Sequence, residues 1–216
     1  MGASYSPNIV KDGLVFYIDA ANPKSYPGSG TVINSMVGTE VGSLNGATYS
    51  TDGIGSLNFD GINDYITING FNNITVNTIS AWFKFSFSGN NVVMEKGSNR
   101  KMMFQPSSAG TTIVYANLKY YNGGAGYASS VMDGTWKNWV QIEDTDFSYF
   151  YINGILQNSQ ANTSNVTRTN PLVVMARSGG SYAQQGNVGP MKIYNRALSR
   201  SELTQNYNAL KGRFGL

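Results

Sequence analysis

The amino-acid sequence predicts an all-β protein in which short antiparallel strands form a sandwich of two sheets. Gly, Asn, Ser and Thr supply 88 of the 216 residues, and these residue types favour turns and strands over long helices. Charged residues make up only 12% of the chain, about half of the usual ~25%. Alternating apolar and polar runs recur between turn signals from residue 14 to about 194, which is typical of a sandwich.

The first part of the chain contains one compact strand and one predicted hairpin. Leu14–Ile18 is a short apolar run that follows a polar arm, residues 1–12. Ser56–Phe59 and Asp64–Ile68 flank the turn sequence Asp60-Gly61-Ile62-Asn63. Turn residues between two apolar runs predict that these two runs pair as a hairpin.

The clearest alternation lies between residues 79 and 87. One face carries Ile79, Ala81, Phe83, Phe85 and Phe87, and the other carries Ser80, Trp82, Lys84 and Ser86. A period of two predicts a strand with one apolar face. Trp82, Trp136 and Trp139 all lie inside strand patterns, so we expect them to be core or sheet-face residues.

A second hairpin is predicted in the middle of the chain. Trp136–Ile142 and Phe147–Ile152 can pair across Glu143-Asp144-Thr145-Asp146. Asn153-Gly154 suits a type I′ turn, which needs positive φ, and leads into Ile155–Asn158. The other predicted strands are Val92–Glu95, Lys101–Gln105, Thr111–Ala116, Ala128–Met132, Leu172–Ala176 and Met191–Tyr194.

One helix is predicted at residues 199–211, before a short tail at 212–216. Ser199 and Glu202 form a capping box, and Leu198 and Leu203 form a hydrophobic staple around it. We expect the helix to dock on the sandwich through the face that carries Leu203, Tyr207 and Leu210, and Gly212 to be its C-cap. No linker or shift in composition divides the strands, so we predict a single domain over residues 1–216.

The composition of the chain excludes several kinds of functional site. The chain contains neither Cys nor His, which excludes disulfides, thiolate sites and histidine-dependent triads. Five of its 15 Lys and Arg residues lie at or after Lys192. Because this basic charge is local rather than a stripe, we expect no nucleic-acid partner. No apolar run approaches the ~20 residues of a membrane span, and the N-terminus has no secretory signal pattern.

Four segments carry a resemblance to a known family. They are Gly13–Gly28, Leu57–Ile66, Tyr149–Gly154 and Ile193–Ala209, and the last joins a strand to a capped helix. The sequence resembles the laminin-G-like, concanavalin A-like lectin/glucanase superfamily, in the form common in tailed-phage virion proteins. The resemblance implies a concanavalin A-like jelly-roll sandwich. It implies function only loosely, because lectins, adhesins, glycosidases and structural modules share this fold.

Two acidic clusters suggest different chemistry. Glucanases of the resembling family use a strand-borne Glu-x-Asp-x-x-Glu, and Glu143, Asp144 and Asp146 are the cluster here that invites comparison. This trio lies in a predicted turn, where Asp and Thr are ordinary turn formers. Asp60, Asn63 and Asp64 offer oxygen ligands that suit Ca²⁺. The alternative for this second cluster is a turn closed by its own Asx side chains.

Exposed aromatic residues in Gly-rich loops are candidates for stacking on sugars. The best loop runs from residue 120 to 127, and Tyr26 and Tyr182 lie in further Ser- and Gly-rich loops. The alternative is that these rings pack on a sheet surface. The carbohydrate-binding candidates are Tyr120, Tyr121, Asn122, Tyr127, Tyr26 and Tyr182.

Taken with the resemblance, these patterns predict a non-catalytic structural protein on the exterior of a phage virion. Capsid decoration and tail appendage both fit, with weak glycan binding that aids host attachment. The expected partners are other virion proteins, further copies of the chain and a host-surface glycan. No cofactor is expected apart from the candidate Ca²⁺. The alternatives are a dedicated carbohydrate-binding adhesin and, third, a glycoside hydrolase.

Overall fold

The structure is a computed structural model. It describes residues 7–71, 77–86, 91–96, 101–106, 112–116, 119–122, 132–161 and 171–216, with the strands between 101 and 122 and residue 160 described by backbone alone. The strands in these ranges are β1 (Leu14–Ile18), β2 (Val32–Asn34), β3 (Val41–Asn45), β4 (Thr48–Ser50), β5 (Ser56–Asp60), β6 (Tyr65–Ile68), β7 (Asn77–Ser86), β8 (Met94–Lys96), β9 (Lys101–Pro106), β10 (Thr112–Ala116), β11 (Lys119–Asn122), β12 (Asp133–Glu143), β13 (Phe147–Ile152), β14 (Ile155–Ala161), β15 (Leu172–Val174) and β16 (Gln185–Tyr194). One α-helix, α1 (Arg200–Leu210), follows them.

The strands form two antiparallel sheets, as the sequence predicts. Sheet A has the order β14-β13-β12-β7-β16-β5-β4, and β1 also pairs with the far half of β16. Sheet B has the order β11-β10-β9-β8-β15-β6-β3-β2. The all-β jelly-roll prediction is confirmed. Among the described residues, no helix is long and apolar enough to span a membrane.

The predicted hairpin around residues 60–63 is wrong. β5 lies in sheet A, where it pairs with β16 and β4, whereas β6 lies in sheet B between β15 and β3. The turn therefore carries the chain from one sheet to the other. A tight turn between two strands has the same local sequence whether or not those strands pair, which is why the pattern misled.

The hairpin of β12 and β13 is confirmed. Val140 pairs with Tyr151 and Glu143 pairs with Ser148 across the turn. Asn153 and Gly154 have φ values of 51° and 77°, as a type I′ turn requires. β2, β3 and β4 are strands that the sequence patterns did not reveal, because each is short and has no more than two apolar side chains.

The main core lies between the two sheets. Ile79, Ala81, Phe83 and Phe85 of β7 pack in one cluster with residues of sheet B such as Ile66 and Val174. This arrangement confirms the predicted apolar face of β7. Trp139 belongs to the same core, whereas Trp82 projects from the opposite face of sheet A.

A second cluster covers the outer face of sheet A. Leu203 of α1 and Leu198 before it pack with Val140, Tyr194 and the arm residue Val10. The predicted capping box is present, since the Ser199 side chain accepts from the Glu202 amide and the Glu202 carboxylate accepts from the Ser199 amide. Leu203 and Tyr207, two residues of the predicted docking face, contact sheet A.

The end of α1 differs from the prediction. Lys211, not Gly212, is the C-cap, and the chain continues as a short 3-10 helix, Lys211–Phe214. The left-handed residue that ends this second helix is Gly215, with φ of 74°. The extra turn brings Phe214 against Trp82 of sheet A and Arg213 against Asp19.

Candidate functional site

Several connections cross between the sheets at one end of the sandwich, among them those that join β5 to β6, β7 to β8, and β15 to β16. The third of these, Met175–Gln184, is fixed by backbone hydrogen bonds. The Met175 amide donates to Val93 O at 2.7 Å, and the Val92 amide donates to Tyr182 O at 2.8 Å. We call this end of the molecule the crossover end.

Two residues of the third connection hold a left-handed backbone. Met175 has φ of 68° and Tyr182 has φ of 54°, a region that costs a non-glycine residue about 1–3 kcal/mol. Met175 is fully buried, so core packing offsets its cost. Tyr182 is 52% exposed and gains no such burial. A strained, exposed aromatic residue on a rigid loop indicates a functional position.

A partly buried ion pair supports the Tyr182 ring. The guanidinium carbon of Arg177 lies 5.4 Å from the ring centroid, within the range of a cation–π contact. Arg177 Nε donates to Glu95 Oε1 at 3.2 Å, and the Ser178 amide donates to Glu95 Oε2 at 3.1 Å. Glu95 is buried on β8, so it holds Arg177 in place from below. We call Tyr182, Arg177 and Glu95 the Tyr182 platform.

The platform presents free polar groups. No described residue accepts a hydrogen bond from the terminal nitrogens of Arg177 or from the Tyr182 hydroxyl. Gly180 packs against the Tyr65 ring and close to Asn63 O, where an added Cβ would lie 3.1 Å and 3.4 Å from them. The loop Met175–Gln184, which we call the platform loop, therefore packs against the turn that contains the predicted calcium ligands.

The carboxylates of that turn bind its own backbone. Asp60 Oδ1 accepts from the Ile62 amide at 2.8 Å, and Asp64 Oδ2 accepts from the Asp60 amide at 3.0 Å. These are the bonds of a turn closed by Asx side chains. Within the described ranges, no group of three or more acidic residues could hold a metal ion. Calcium binding by Asp60, Asn63 and Asp64 stays a prediction.

The predicted carbohydrate-binding residues do not gather in one place. The prediction for Tyr26 is wrong. Its side chain is only 3% exposed, packs in the main core and donates its hydroxyl hydrogen bond to Gly30 O at 3.1 Å. It therefore cannot stack on a sugar. Tyr120, Tyr121 and Asn122 lie on the edge strand β11 rather than in a loop. Tyr127 lies outside the described residues. Of Tyr26 and Tyr182, the two candidates whose side chains the structure describes, Tyr182 is the exposed one.

The acidic trio does not face one cleft. Glu143 ends β12, is fully buried and accepts from Asn77 Nδ2 at 3.2 Å. Asp144 Oδ1 accepts from the amides of Asp146 and Phe147 at 2.8 Å and 2.6 Å. The Glu143 carboxylate therefore bonds to β7 and the Asp144 carboxylate closes the hairpin turn, whereas retaining glycosidases need two carboxyls about 5 Å apart across a cleft.

An aromatic stack holds the C-terminal segment on the outer face of sheet A. Trp82 is fully buried between Tyr207 and Phe214, with ring centroids at 5.7 Å and 4.2 Å. Trp136 also contacts Phe214, at 4.7 Å. The sheet-face prediction for Trp82 and Trp136 is confirmed. The Trp82 ring is not available to a sugar, because the protein's own C-terminal segment covers it.

A buried lysine lies beside this stack. Lys192 of β16 is fully buried, its ammonium is 5.4 Å from the Tyr17 ring, and no described residue bonds to its Nζ. Burial lowers the pKa of Lys192 to about 8, against a smaller opposing effect of the Asp19 carboxylate. Burial, together with Asp19, raises the pKa of Tyr17 to about 12. Sequence reasoning missed this group, because a lysine inside a strand is usually exposed.

Family comparison decides the class of the protein. The model of the concanavalin A-like lectin/glucanases superfamily matches residues 60–204, which is more than half of the chain. The chain belongs to the concanavalin A-like lectin/glucanases superfamily. The matched region includes every residue of the Tyr182 platform. No curated protein matches the sequence significantly.

Solved structures with the same fold are distant in sequence. Trypanosoma rangeli sialidase in complex with sialic acid matches with a TM-score of 0.73 at 12% identity, over 98% of this chain and 36% of the sialidase. The binding domain of Paraclostridial mosquitocidal protein 1 matches with 0.71 at 15%, over 91% and 52%. The receptor binding domain of botulinum neurotoxin C/D mosaic serotype matches with 0.67 at 16%, over 90% and 51%.

These likenesses establish the lectin-type sandwich for this superfamily member. The chain spans about a third of the sialidase and about half of the two toxin structures. The set includes an enzyme as well as binding domains, so fold alone does not assign catalysis.

Proposed function

We propose that the chain is a non-catalytic recognition module that binds a saccharide through the Tyr182 platform. The observation that carries the proposal is the exposed ring of Tyr182, kept in a left-handed conformation and braced by Arg177 and Glu95. A tyrosine ring offers an apolar face to a sugar, and its hydroxyl offers a hydrogen bond. The free N–H groups of Arg177 add donors for sugar oxygens.

Two further observations support the proposal. The two toxin structures that share the fold are a binding domain and a receptor binding domain. The Glu143 carboxylate is buried against Asn77 of β7, and the Asp144 carboxylate closes the β12–β13 turn, so the two do not form the pair that hydrolysis of a glycoside needs. Recognition without catalysis is therefore the simpler role for this surface.

We propose further that the protein lies on the exterior of a phage virion, as a capsid decoration or a tail appendage. The segments Gly13–Gly28 and Ile193–Ala209, which resemble the form of the family common in tailed-phage virions, support this location. Its partners there would be other virion proteins and further copies of the chain, after assembly in the host cytoplasm. Mass spectrometry of purified particles tests the location, and absence of the chain from particles that infect would contradict it.

A dedicated adhesin is the second candidate, favoured by the exposure of the Tyr182 ring. The two candidates differ in where the host-binding function resides. Free protein added before infection would compete for the host surface if the chain is the adhesin. Unchanged adsorption at saturating protein would leave the structural role with weak glycan binding.

A glycan array tests the saccharide-binding proposal. The wild-type chain, Tyr182→Ala and Phe147→Ala are applied in calcium and in EDTA. Phe147 is a matched control because it is 42% exposed, on the β12–β13 hairpin away from the crossover end. We expect specific binding by the wild type and by Phe147→Ala, and loss of binding in Tyr182→Ala. Absence of binding by the wild type to any saccharide would refute the proposal.

A further inference from the structure

A row of polar side chains crosses the outer face of sheet A near the crossover end. Asn187 of β16 lies directly opposite Asn58 of β5 on one side and Lys84 of β7 on the other. Leu57 and Phe59 point into the main core, so Asn58 between them points outward. Neighbouring strands are roughly 4.8 Å apart, which spaces the three polar groups evenly along the row.

The row forms the floor of a cleft of about 260 Å³. Ser86 and Gln185 also line it, together with Gly134 and Gly186. Both glycines have positive φ, 79° and 151°. An added Cβ would lie 2.9 Å from Ser86 Oγ at Gly134 and 2.7 Å from Phe85 Cβ at Gly186. Side chains are therefore excluded at these two positions, and the shape of the cleft is set by the backbone.

Several polar groups in the cleft have no partner in the protein. No described residue bonds to the side chains of Asn58, Ser86 or Gln185. The Asn187 amide donates to Ser56 Oγ at 3.3 Å, and no described residue donates to its Oδ1. Amide and hydroxyl groups both donate and accept hydrogen bonds, as the hydroxyls of a sugar do.

The charge in the cleft is already paired. Lys84 Nζ lies 2.6 Å from Asp52 Oδ2, and Trp136 Nε1 donates to Asp52 Oδ1 at 3.0 Å. Burial raises the pKa of Asp52, but the hydrogen bonds from Lys84 and Trp136 outweigh it and hold that pKa below its usual value. The carboxylate therefore stays charged beside Lys84, and the described lining of the cleft offers no unpaired cation to an acidic ligand.

We infer that this cleft, which we call the amide cleft, is a second saccharide site that takes one neutral sugar ring. The inference rests on the proposed function and adds a site to it. Its volume is below the roughly 300–1,000 Å³ of pockets for drug-sized ligands, so it suits a single ring. Gln185 begins β16 directly after the platform loop, so the two sites lie at the same end of the molecule.

The test follows side-chain amide signals by NMR while a monosaccharide is added to the full chain. Glucose, galactose, mannose and N-acetylglucosamine are the neutral probes, and glucuronic acid is the acidic probe. Wild type is compared with Asn58→Ala, Gln185→Glu and the control Asn158→Ala, which removes an exposed amide on β14, at the far edge of the same sheet. Tyr182→Ala separates the two sites.

We expect a neutral sugar to shift the amide signals of Asn58, Asn187 and Gln185, with about a three- to tenfold loss of affinity in Asn58→Ala or Gln185→Glu, as for one lost hydrogen bond. Asn158→Ala and Tyr182→Ala should leave these shifts unchanged. Shifts confined to the surroundings of Tyr182 would overturn the inference and leave the proposed function intact. Tighter binding of glucuronic acid than of glucose would overturn the neutral class, and no shifts at either site would overturn both proposals.

Discussion

Arg213 Nη1 lies 2.7 Å from Asp19 Oδ2, so this ion pair connects the C-terminal segment to the residue that follows β1. The same guanidinium donates to Gly53 O, at 2.6 Å, and to Gly55 O. Phe214, the next residue, stacks on Trp82. Arg213 and Phe214 therefore hold the C-terminal segment against sheet A, and we call these contacts the clasp.

Replacing Arg213 with Ala should lower the free energy of unfolding by about 3 kcal/mol, because it leaves Asp19 without the partner of a largely buried pair. Release of Phe214 should also shift the tryptophan emission toward the red. Urea unfolding measures the first effect and fluorescence the second. Arg200→Ala, at an exposed position on α1, is the control and should change stability by less than about 0.5 kcal/mol. Equal stability of the two variants would contradict the clasp.

Lys192 should make stability depend on alkaline pH. Its pKa is about 8 in the folded chain against a usual 10.5, so the unfolded chain binds more protons between these values and stability rises with pH there. Tyr17, with its pKa raised to about 12, opposes this only above pH ~10, where unfolded tyrosine ionises. Unfolding of the wild type from pH 7.5 to 10 should show increasing stability.

Lys192→Met is the matched variant for this effect. It removes a buried ammonium whose Nζ has no hydrogen-bond partner among the described residues, so it should be more stable than the wild type at pH 7, by up to about 3 kcal/mol. Its stability should also be flat across the window. Parallel pH curves for the two proteins would show that Lys192 is not the titrating group.

Tyr182→Gly should separate backbone strain from binding. Glycine adopts positive φ without a steric penalty, so this variant should be as stable as the wild type or more stable, by up to about 1 kcal/mol. It should lose saccharide binding, since the ring is gone. Thermal unfolding and the glycan array measure the two outcomes. A clear loss of stability would mean that the Tyr182 side chain serves the fold.

Calcium and EDTA distinguish the two interpretations of the turn at residues 60–64. If Asp60 and Asp64 only close the turn, calorimetry should show no calcium heat and the melting temperature should be the same in EDTA. A saturable heat that disappears in Asp64→Asn would establish the predicted calcium site.

The sequence predicts those features that depend on neighbouring residues. The alternation from Ile79 to Phe85 assigns the faces of β7 correctly, and Ser199 with Glu202 locates the start of α1. The Asn153-Gly154 turn is equally local. Each of these signals arises from backbone geometry within a few residues.

The sequence could not predict features that depend on contacts between residues far apart in the chain. Glu95 and Arg177 are 82 residues apart, and no spacing links them. Tyr26 and Tyr182 have similar loop sequences, yet one is in the core and the other is exposed, because the surrounding sheets decide burial. The amide cleft depends on the register between β5, β16 and β7. No single segment of the sequence determines that register.

Titration calorimetry of the best array saccharide into wild-type protein and Tyr182→Ala tests the central claim most directly. Loss of a stacked ring should raise Kd about tenfold or more, which is about 1.4 kcal/mol. Phe147→Ala should keep the wild-type Kd. If Tyr182→Ala binds as tightly as the wild type, the Tyr182 platform is not the saccharide site.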